Sequence, residues 1–406
     1  MNIPKLRFKD NNDNDYPNWV NSTIGKSGYF YYGKSAPKWS ITDTATTPCV
    51  RYGELYTTHN IIVKKIYSYT NIPKENLKFS TGNEVLVPRV GEEPLDFCKC
   101  CYLPFKDVAI GEMISVYNTK NNPLFISYMF NGTMKYKFAR LVEGGNVSNL
   151  YYSYLENISI NLPCLEEQKK IANFLSTVDK KITNLENTII SLENQKKGLL
   201  QQIFSQKLRF KDKNGNNYPN WEKKKLGDIG SFSRGGNLSK SDLSKKGTSC
   251  ILYGELYTYY NEFATEIKSK TLNTTNLVLS KKYDVLLPLS GETAEDISTC
   301  TCIFFDDIAL GSDLLIFRSS FFDGRFMSLL LKYKYKYKIA QIAQGKSIVH
   351  ISEKNIKNIN IKIPCIEEQQ NIADFILIFT KKLENQKAQL EHWKQIKKGL
   401  LQQMFV

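Results

Sequence analysis

Apolar residues recur in steps of four and three through Ile171, Leu175, Val178, Ile182, Leu185, Ile189, Leu192, Leu199 and Ile203, with one gap at Lys196. An average period of 3.5 is the pattern of a helix that shares its apolar stripe with a partner helix. The stepping returns in Ile372, Ile376, Phe379, Leu383, Leu390, Trp393, Leu400 and Met404, with the gap at Lys397. The two tracts are copies. Leu162-Pro-Cys-Leu-Glu-Glu-Gln168 reappears as Ile363-Pro-Cys-Ile-Glu-Glu-Gln369, and Lys196-Lys-Gly-Leu-Leu-Gln-Gln202 reappears unchanged as residues 397–403, both displaced by 201 positions (363 − 162 and 397 − 196). Pro163 and Pro364 precede the two starts and no proline falls inside either run, which suits long helices. Helices of about 40 residues are ~60 Å long, more than one ordinary domain spans, so pairing with each other is favoured over burial against separate cores. Lys196 and Lys397 interrupt the seam. A charge there needs solvent or a carboxylate, and Lys196→Leu is expected to leave stability unchanged.

A second repeat completes the order. Lys5-Leu-Arg-Phe-Lys-Asp-Asn-Asn-Asp-Asn-Asp-Tyr-Pro-Asn-Trp19 recurs, with three changes, at residues 207–221, directly after the first long helix. The duplication is therefore cyclic in sense. It predicts that residues 5–19 lie beside the end of the second helix and that helices 165–206 and 366–405 run antiparallel. Residues 20–161 and 222–362 differ at most positions but share anchors: Tyr52-Gly-Glu-Leu-Tyr-Thr57 with Tyr253–Thr258, Glu84-Val-Leu-Val-Pro88 with Asp284–Pro288, Gly91-Glu92 with Gly291-Glu292, and Asp107-Val-Ala-Ile-Gly111 with Asp307–Gly311. Short β-branched and aromatic runs split by Gly, Pro and Asn read as strands and turns. The expected fold is α+β, with two pseudo-symmetric globular domains separated by two long antiparallel coiled-coil helices. Its segments are 1–164 (domain and lead-in), 165–206 (central helix), 207–364 (domain and lead-in) and 365–406 (C-terminal helix). Within the second domain, Phe326, Leu330, Tyr333, Tyr337 and Ala340 predict a helix near 324–343, although Lys332-Tyr-Lys-Tyr-Lys-Tyr-Lys338 alternates like a strand. A tyrosine stripe packed inward with solvated lysines is favoured there over a basic-aromatic nucleic-acid face.

Composition narrows the class. The 406 residues are 42% hydrophobic, ordinary for a globular protein. The absence of a long apolar run argues against a membrane span or export signal, and the expected location is the cytoplasm. Nine cysteines in strand-like or helix-start positions suit reduced thiols. Cys98-Lys-Cys-Cys101 and Cys300-Thr-Cys302 lack zinc-knuckle spacing and a nearby histidine. Net charge is +15; residues 165–206 and 366–406 each carry six Lys against five acids, so +13 (15 − 1 − 1) lies outside the long helices. A basic excess on the globular parts suits a polyanion, most simply nucleic acid.

No catalytic constellation emerges. Gly25-Lys-Ser27 and Gly345-Lys-Ser347 echo a phosphate loop, but the position of its first glycine holds Val20 or Ala340. Asn122-Pro-Leu-Phe125 echoes an amino-methyltransferase loop without its second proline or a cofactor-binding glycine loop. His59, His350 and His392 lie in three separate segments. Glu166-Glu167 and Glu367-Glu368 fall in first helical turns, where carboxylates favour the dipole. The chain reads as non-catalytic.

Leu/Ile-Pro-Cys-Leu/Ile-Glu-Glu-Gln followed by a helix ending Lys-Lys-Gly-Leu-Leu-Gln-Gln resembles the corresponding regions of type I restriction-modification specificity subunits. Trp221-x4-Leu226-Gly-Asp-Ile229, the Asp284-Val-Leu-Leu strand and Gly345-Lys-Ser-x3-Ile351 are similar to that family's target-recognition domains. The first domain departs at its start, where Trp19 is followed by Val-Asn-Ser-Thr-Ile-Gly. The resemblance implies that each target-recognition domain reads one half of a bipartite, asymmetric site in double-stranded DNA. The helices would act as spacer and as docking surface for two modification subunits. Those subunits would carry S-adenosylmethionine and methylate adenine, and ATP-using restriction subunits would join them. This chain itself would need no cofactor and no metal.

Lysines and arginines on phosphates would position each domain, and a few polar side chains would reach base edges. The candidates are Arg51, Arg89 and Arg140 in the first domain, and Arg234, Ser290, Arg318, Arg325 and Lys346 in the second. Arg89 and Ser290 follow the equivalent Pro88 and Pro288. A coiled-coil scaffold without a DNA role is the alternative; salt-dependent binding to DNA together with the methyltransferase partner separates the two. A fused restriction-methylation enzyme would need the missing cofactor loop.

Overall fold

The computed structural model describes residues 4–91, 93–144, 148–345 and 348–405. The two periodic tracts are helices, Leu165–Phe204 and Ile366–Met404. The chain forms two compact units, residues 1–186 with 388–406, and residues 187–387. Each unit therefore holds the first half of one long helix and the second half of the other. Within unit 1, Lys397 pairs with Asp179 at 2.6 Å and Lys394 with Glu186 at 3.7 Å, so the helix segments run antiparallel. Within unit 2, Lys387 pairs with Glu193 at 2.6 Å, and Leu200 and Ile203 share a core with Ile372 and Ile376. The Lys387–Glu193 pair is about half exposed on both sides. Such pairs contribute at most ~1 kcal/mol, whereas each buried Ile or Leu contributes roughly 1.5–3 kcal/mol. The apolar seam holds the helices together and the ion pairs select its register.

The cyclic order is realised at atomic level. Leu6 N–H donates to the Gln403 carbonyl at 3.1 Å, and Leu208 N–H donates to the equivalent Gln202 carbonyl at 3.1 Å. Arg7 reaches Glu167 through Nε and Nη2 at 3.0 and 2.7 Å; Arg209 reaches Glu368 at 3.0 and 2.6 Å. Glu166 and Glu367 sit exposed in the first turn as expected of dipole-favouring acids, but Glu167 and Glu368 are fully buried. The neighbouring glutamines are buried too. Gln168 donates to the Pro163 carbonyl and accepts from Asn122 N–H; Gln369 does the same with Pro364 and Asp323. Each Glu-Gln pair thus fastens a helix start to its lead-in and to the head of the helix at Pro123–Asn131 or Gly324–Lys334.

Both globular parts repeat one architecture. In unit 1 a four-stranded sheet runs in the order Gly28–Tyr32, Ile114–Thr119, Glu84–Pro88, Cys101–Leu103, and a second in the order Ser68–Thr70, Thr47–Val50, Lys106–Ile110, Phe79–Thr81. Unit 2 has the same two sheets, each with a fifth strand: Phe263–Ala264 on the first and Leu243–Ser244 on the second. The start of the first domain, unlike the second in sequence, is equivalent in structure. Val20–Thr23 pairs with Ser159–Leu162 as Glu222–Lys225 pairs with Asn360–Ile363. Ile24 N–H donates to Ile158 as Leu226 N–H does to Ile359, so Ile24-Gly25 does the work of Leu226-Gly227. The helix expected near 324–343 is two pieces, Gly324–Lys334 and Lys336–Gln341, broken where Tyr335 adopts φ −107°, ψ 5°. The Tyr335 hydroxyl accepts Lys362 N–H and the Tyr333 hydroxyl donates to Glu262, while Tyr337 stays 83% exposed. The expected inward stripe therefore holds at Tyr335 alone: Tyr333 is 42% exposed despite its bond to Glu262, and Lys332, Lys334 and Lys336 are half-buried rather than fully solvated.

The expectation for Lys196→Leu is corrected. Lys196 is buried and bonded directly to Glu262, itself fully buried, which also accepts from Thr380 Oγ1 at 3.2 Å. Burial pushes the Glu262 carboxyl up, Lys196 and Lys332 pull it down, and the net is a carboxyl below its ordinary value. Removing the lysine strands a carboxylate away from water.

Two outcomes follow from these buried pairs. Arg209→Met leaves Glu368 without its cation and should cost roughly 3–5 kcal/mol in denaturant unfolding; a change below ~1 kcal/mol would show that the bidentate pair is not structural. Lys196→Leu should lower the melting temperature at pH 7. The depressed carboxyl stabilises the wild type fully above the ordinary glutamate pKa of about 4.3, and that contribution is lost as pH falls through the folded value. The gap between wild type and variant should therefore close on acidification; a gap that widens contradicts the assignment.

Candidate nucleic-acid interface

Short ribbons beside the first sheets are the most individual part of each domain. Val90–Gly91 pairs with Ser148–Asn149 in unit 1, and Ser290–Gly291 with Val349–His350 in unit 2. Gly144 (φ +116°) and Gly345 (φ +134°) precede the second strands of these ribbons in the chain. A Cβ on Gly345 would meet the Ile348 carbonyl oxygen at 2.0 Å, so only glycine allows this approach. The sheet strands Gly28–Tyr32 and Ser231–Arg234 are followed by Gly33 and Gly235, where a Cβ would fall 2.1 and 1.9 Å from the carbonyl oxygens of Gly111 and Gly311.

On this shared scaffold the two units carry different chemistry. Tyr32 pairs with Ser115 and Arg234 with Leu315, equivalent strand positions. In unit 1 the cation comes from the turn instead: the Arg89 guanidinium lies 4.5 Å from the Tyr32 ring and 5.5 Å from the Tyr151 ring. Its Nε is buried with no hydrogen-bond partner among the described residues. In unit 2 the turn residue is Leu289, and the exposed Arg234 lines a cleft of about 240 Å3 with Ser290, His350, Gln344 and Asn355. Ser290 is buried with its Oγ 2.9 Å from His350 Nδ1. One arginine thus stands at each ribbon, supplied by a connection in unit 1 and by a strand in unit 2, with an aromatic box in the first and hydroxyl, imidazole and amide groups in the second.

The structure brings Arg234 and Ser290 together. It places Arg89 alone at the equivalent spot in unit 1. Arg51 is half-buried at the start of the helix Tyr52–Thr57, and Arg140 is exposed after the helix Lys135–Ala139. The other two arginines are held by carboxylates. Arg318 makes two bonds to the buried Asp284 at 2.6 and 2.5 Å, and the buried Arg325 is bonded to Asp323 and Asp374. Lys346 lies outside the described residues. His350, Tyr32 and Tyr151 were not among the candidates; His350 stands opposite Ser290 and Tyr32 opposite Ser115, pairings that only the strand register reveals.

Among the described residues no group of three His, Cys, Asp or Glu could hold a metal ion, and no helix is long and apolar enough to cross a membrane. All nine cysteines are free thiols. Burial pushes Cys100, Cys300 and Cys302 up from the ordinary thiol value, away from reactive thiolate.

Two duplicated, ribbon-bearing domains, each holding antiparallel segments of the two long helices, define the architecture, and comparisons with known proteins give its family. The family described as "Type I restriction modification DNA specificity domain" matches residues 8–194 and 218–392. The chain belongs to the type I restriction-modification specificity subunits. It is 25% identical over 317 residues, 74% of each chain, to the type I restriction enzyme MjaVIII specificity subunit of Methanocaldococcus jannaschii. It is 26% identical over 298 residues to the putative MjaX specificity subunit of the same organism, covering 70% of this chain and 67% of that one. The crystal structure of the S subunit from M. genitalium shares the fold, with TM-score 0.63, 18% identity and 99% of both chains covered. A chain solved in work on complex assembly and conformational transition of the type I system gives TM-score 0.55 at 14% identity, covering 95% and 97%.

Proposed function

We propose that the two globular domains each read one half of a bipartite, asymmetric site in double-stranded DNA, and that the paired helices space them and dock two modification subunits. S-adenosylmethionine and ATP act on the partner subunits, with restriction subunits joining the same cytoplasmic complex. The observation that carries this reading is the ribbon position, where one backbone arrangement presents Arg89 among tyrosines in unit 1 and Arg234 among polar groups in unit 2. Equivalent scaffolds with unlike side chains suit two readers of unlike sequences. An arginine at a groove edge can bind guanine O6 and N7 together, discriminating by roughly 1–3 kcal/mol per base pair. Arg51, Arg140 and Lys346 fit the less specific task of holding phosphates. Arg318 and Arg325, committed to carboxylates, act by shaping the domain.

Methylome sequencing of a host carrying the intact system tests this. Arg234→Ala should relax one half-site and leave the other unchanged, and Arg89→Ala should do the reverse. Relaxation of both halves by either variant, or of neither, would sink the assignment.

The helices carry a second expectation. Four residues inserted after Ser191, about one turn, add ~6 Å to the first helix. At ~3.4 Å per base pair, the spacer between half-sites should grow by one or two base pairs with unchanged half-site sequences. An insertion of two residues rotates the seam and should damage folding. An unchanged spacer in the four-residue variant would defeat the helix as a ruler.

A further inference from the structure

The seam lysines Lys196 and Lys397 occupy equivalent positions, 201 residues apart (397 − 196), yet their carboxylates come from different places. In unit 1, Lys397 pairs with Asp179, which lies on the opposing long helix. In unit 2, Lys196 pairs with Glu262, which lies in the globular domain between the helix Glu255–Thr258 and the strand Phe263–Ala264. The equivalents of these acids are neutral. Asp179 corresponds to Thr380 and Glu262 to Ile61, each by the same offset of 201 (380 − 179 and 262 − 61). Thr380 Oγ1 donates to Glu262, so the helix position still faces the same spot. One directly bonded carboxylate per seam lysine is present in both units, with Glu384 also near Lys196 in unit 2, but the bonded acid has changed sides of the contact between helix and domain.

The surroundings have changed with it. The Tyr333 hydroxyl donates to Glu262 at 3.0 Å, and Lys332 bonds Asn261 beside it. The equivalent of Tyr333 is Gly132 (333 − 201), and unit 1 has at that place a cleft of about 820 Å3 lined by Ile61, Gly132, Asp179 and Lys397.

We propose that this exchanged carboxylate is a positional key that matches each recognition domain to its own helix segment. A domain of the first kind set at the second position would bring Ile where Lys196 requires an acid. A domain of the second kind at the first position would bring a glutamate against Asp179 with one lysine to share. Each mismatch leaves a charge unbalanced, in a buried contact at Lys196 and in a partly buried one at Lys397. The key acts within one unit and is independent of which bases either domain reads.

Four single exchanges, each importing the other unit's residue into the full-length chain, test it by melting temperature. Glu262→Ile should lower the apparent melting temperature by roughly 5–10 °C, since it strands Lys196 beside Lys332. Adding Thr380→Asp, the unit 1 arrangement, should recover most of that loss. Thr380→Asp alone should be destabilising, because two acids then face Lys196. In unit 1, Asp179→Thr should lower the melting temperature less, its pair being about a quarter exposed, and Ile61→Glu should restore it. If Glu262→Ile is too unstable to purify, recovery of soluble protein by Thr380→Asp reads the same coupling. Additive effects in both units, with neither second exchange rescuing the first, would overturn the key.

Discussion

Glu167 and Glu368 are the constraint on which the rest of this chain depends. Each is a fully buried carboxylate in the first turn of a long helix, and each is held by one arginine of a lead-in segment. A buried carboxylate without its cation costs several kcal/mol, so the lead-in cannot leave the helix start without a large penalty. The adjacent glutamines extend the fastening to the head of the helix at Pro123–Asn131 or Gly324–Lys334. In unit 1 the same lead-in bonds the end of the second long helix. The joint therefore sets where a helix begins, where its partner ends, and how the domain between them is presented.

Much of this was legible in one sequence because it is written twice. The 3.5-residue period and the shared offset predicted the two helices, and the cyclic order of the lead-in predicted that the first residues meet the last helix. Repetition also hid things. The Glu-Glu pairs read as dipole-favouring acids, and their second members are instead buried partners of Arg7 and Arg209; the signal was the arginine repeated at the same place in both lead-ins. Ile24-Gly25 looked unlike Leu226-Gly227 in letters but fills the same backbone positions. Glu262 had no signal at all. Its equivalent is Ile61, and its partner Lys196 lies 66 residues away in sequence.

The candidate reading surface was legible only in part, and for a physical reason. Whether an arginine is free to meet DNA depends on which carboxylates fold against it. Arg318 and Arg325 look as available as Arg234 in the sequence, yet Asp284 just before the strand Val285–Pro288 and Asp374 on the second long helix engage them. Arg89 and Arg234 are spared because they stand at the ribbons, where side chains vary between units while glycines hold the backbone. In the proposed reading, rigid joints at the helix starts keep the geometry constant while variable side chains at the ribbons change what is read.

The central claim is that two separate surfaces of one chain contact DNA with a gap between them. Hydroxyl-radical footprinting of this chain, assembled with its modification subunits on DNA that contains the sequence it methylates, tests that claim most directly. Two protected segments of unlike sequence, separated by base pairs whose sugars stay reactive on at least one face, are the predicted result. A single continuous protected stretch, or protection on only one side of the methylated site, would contradict it.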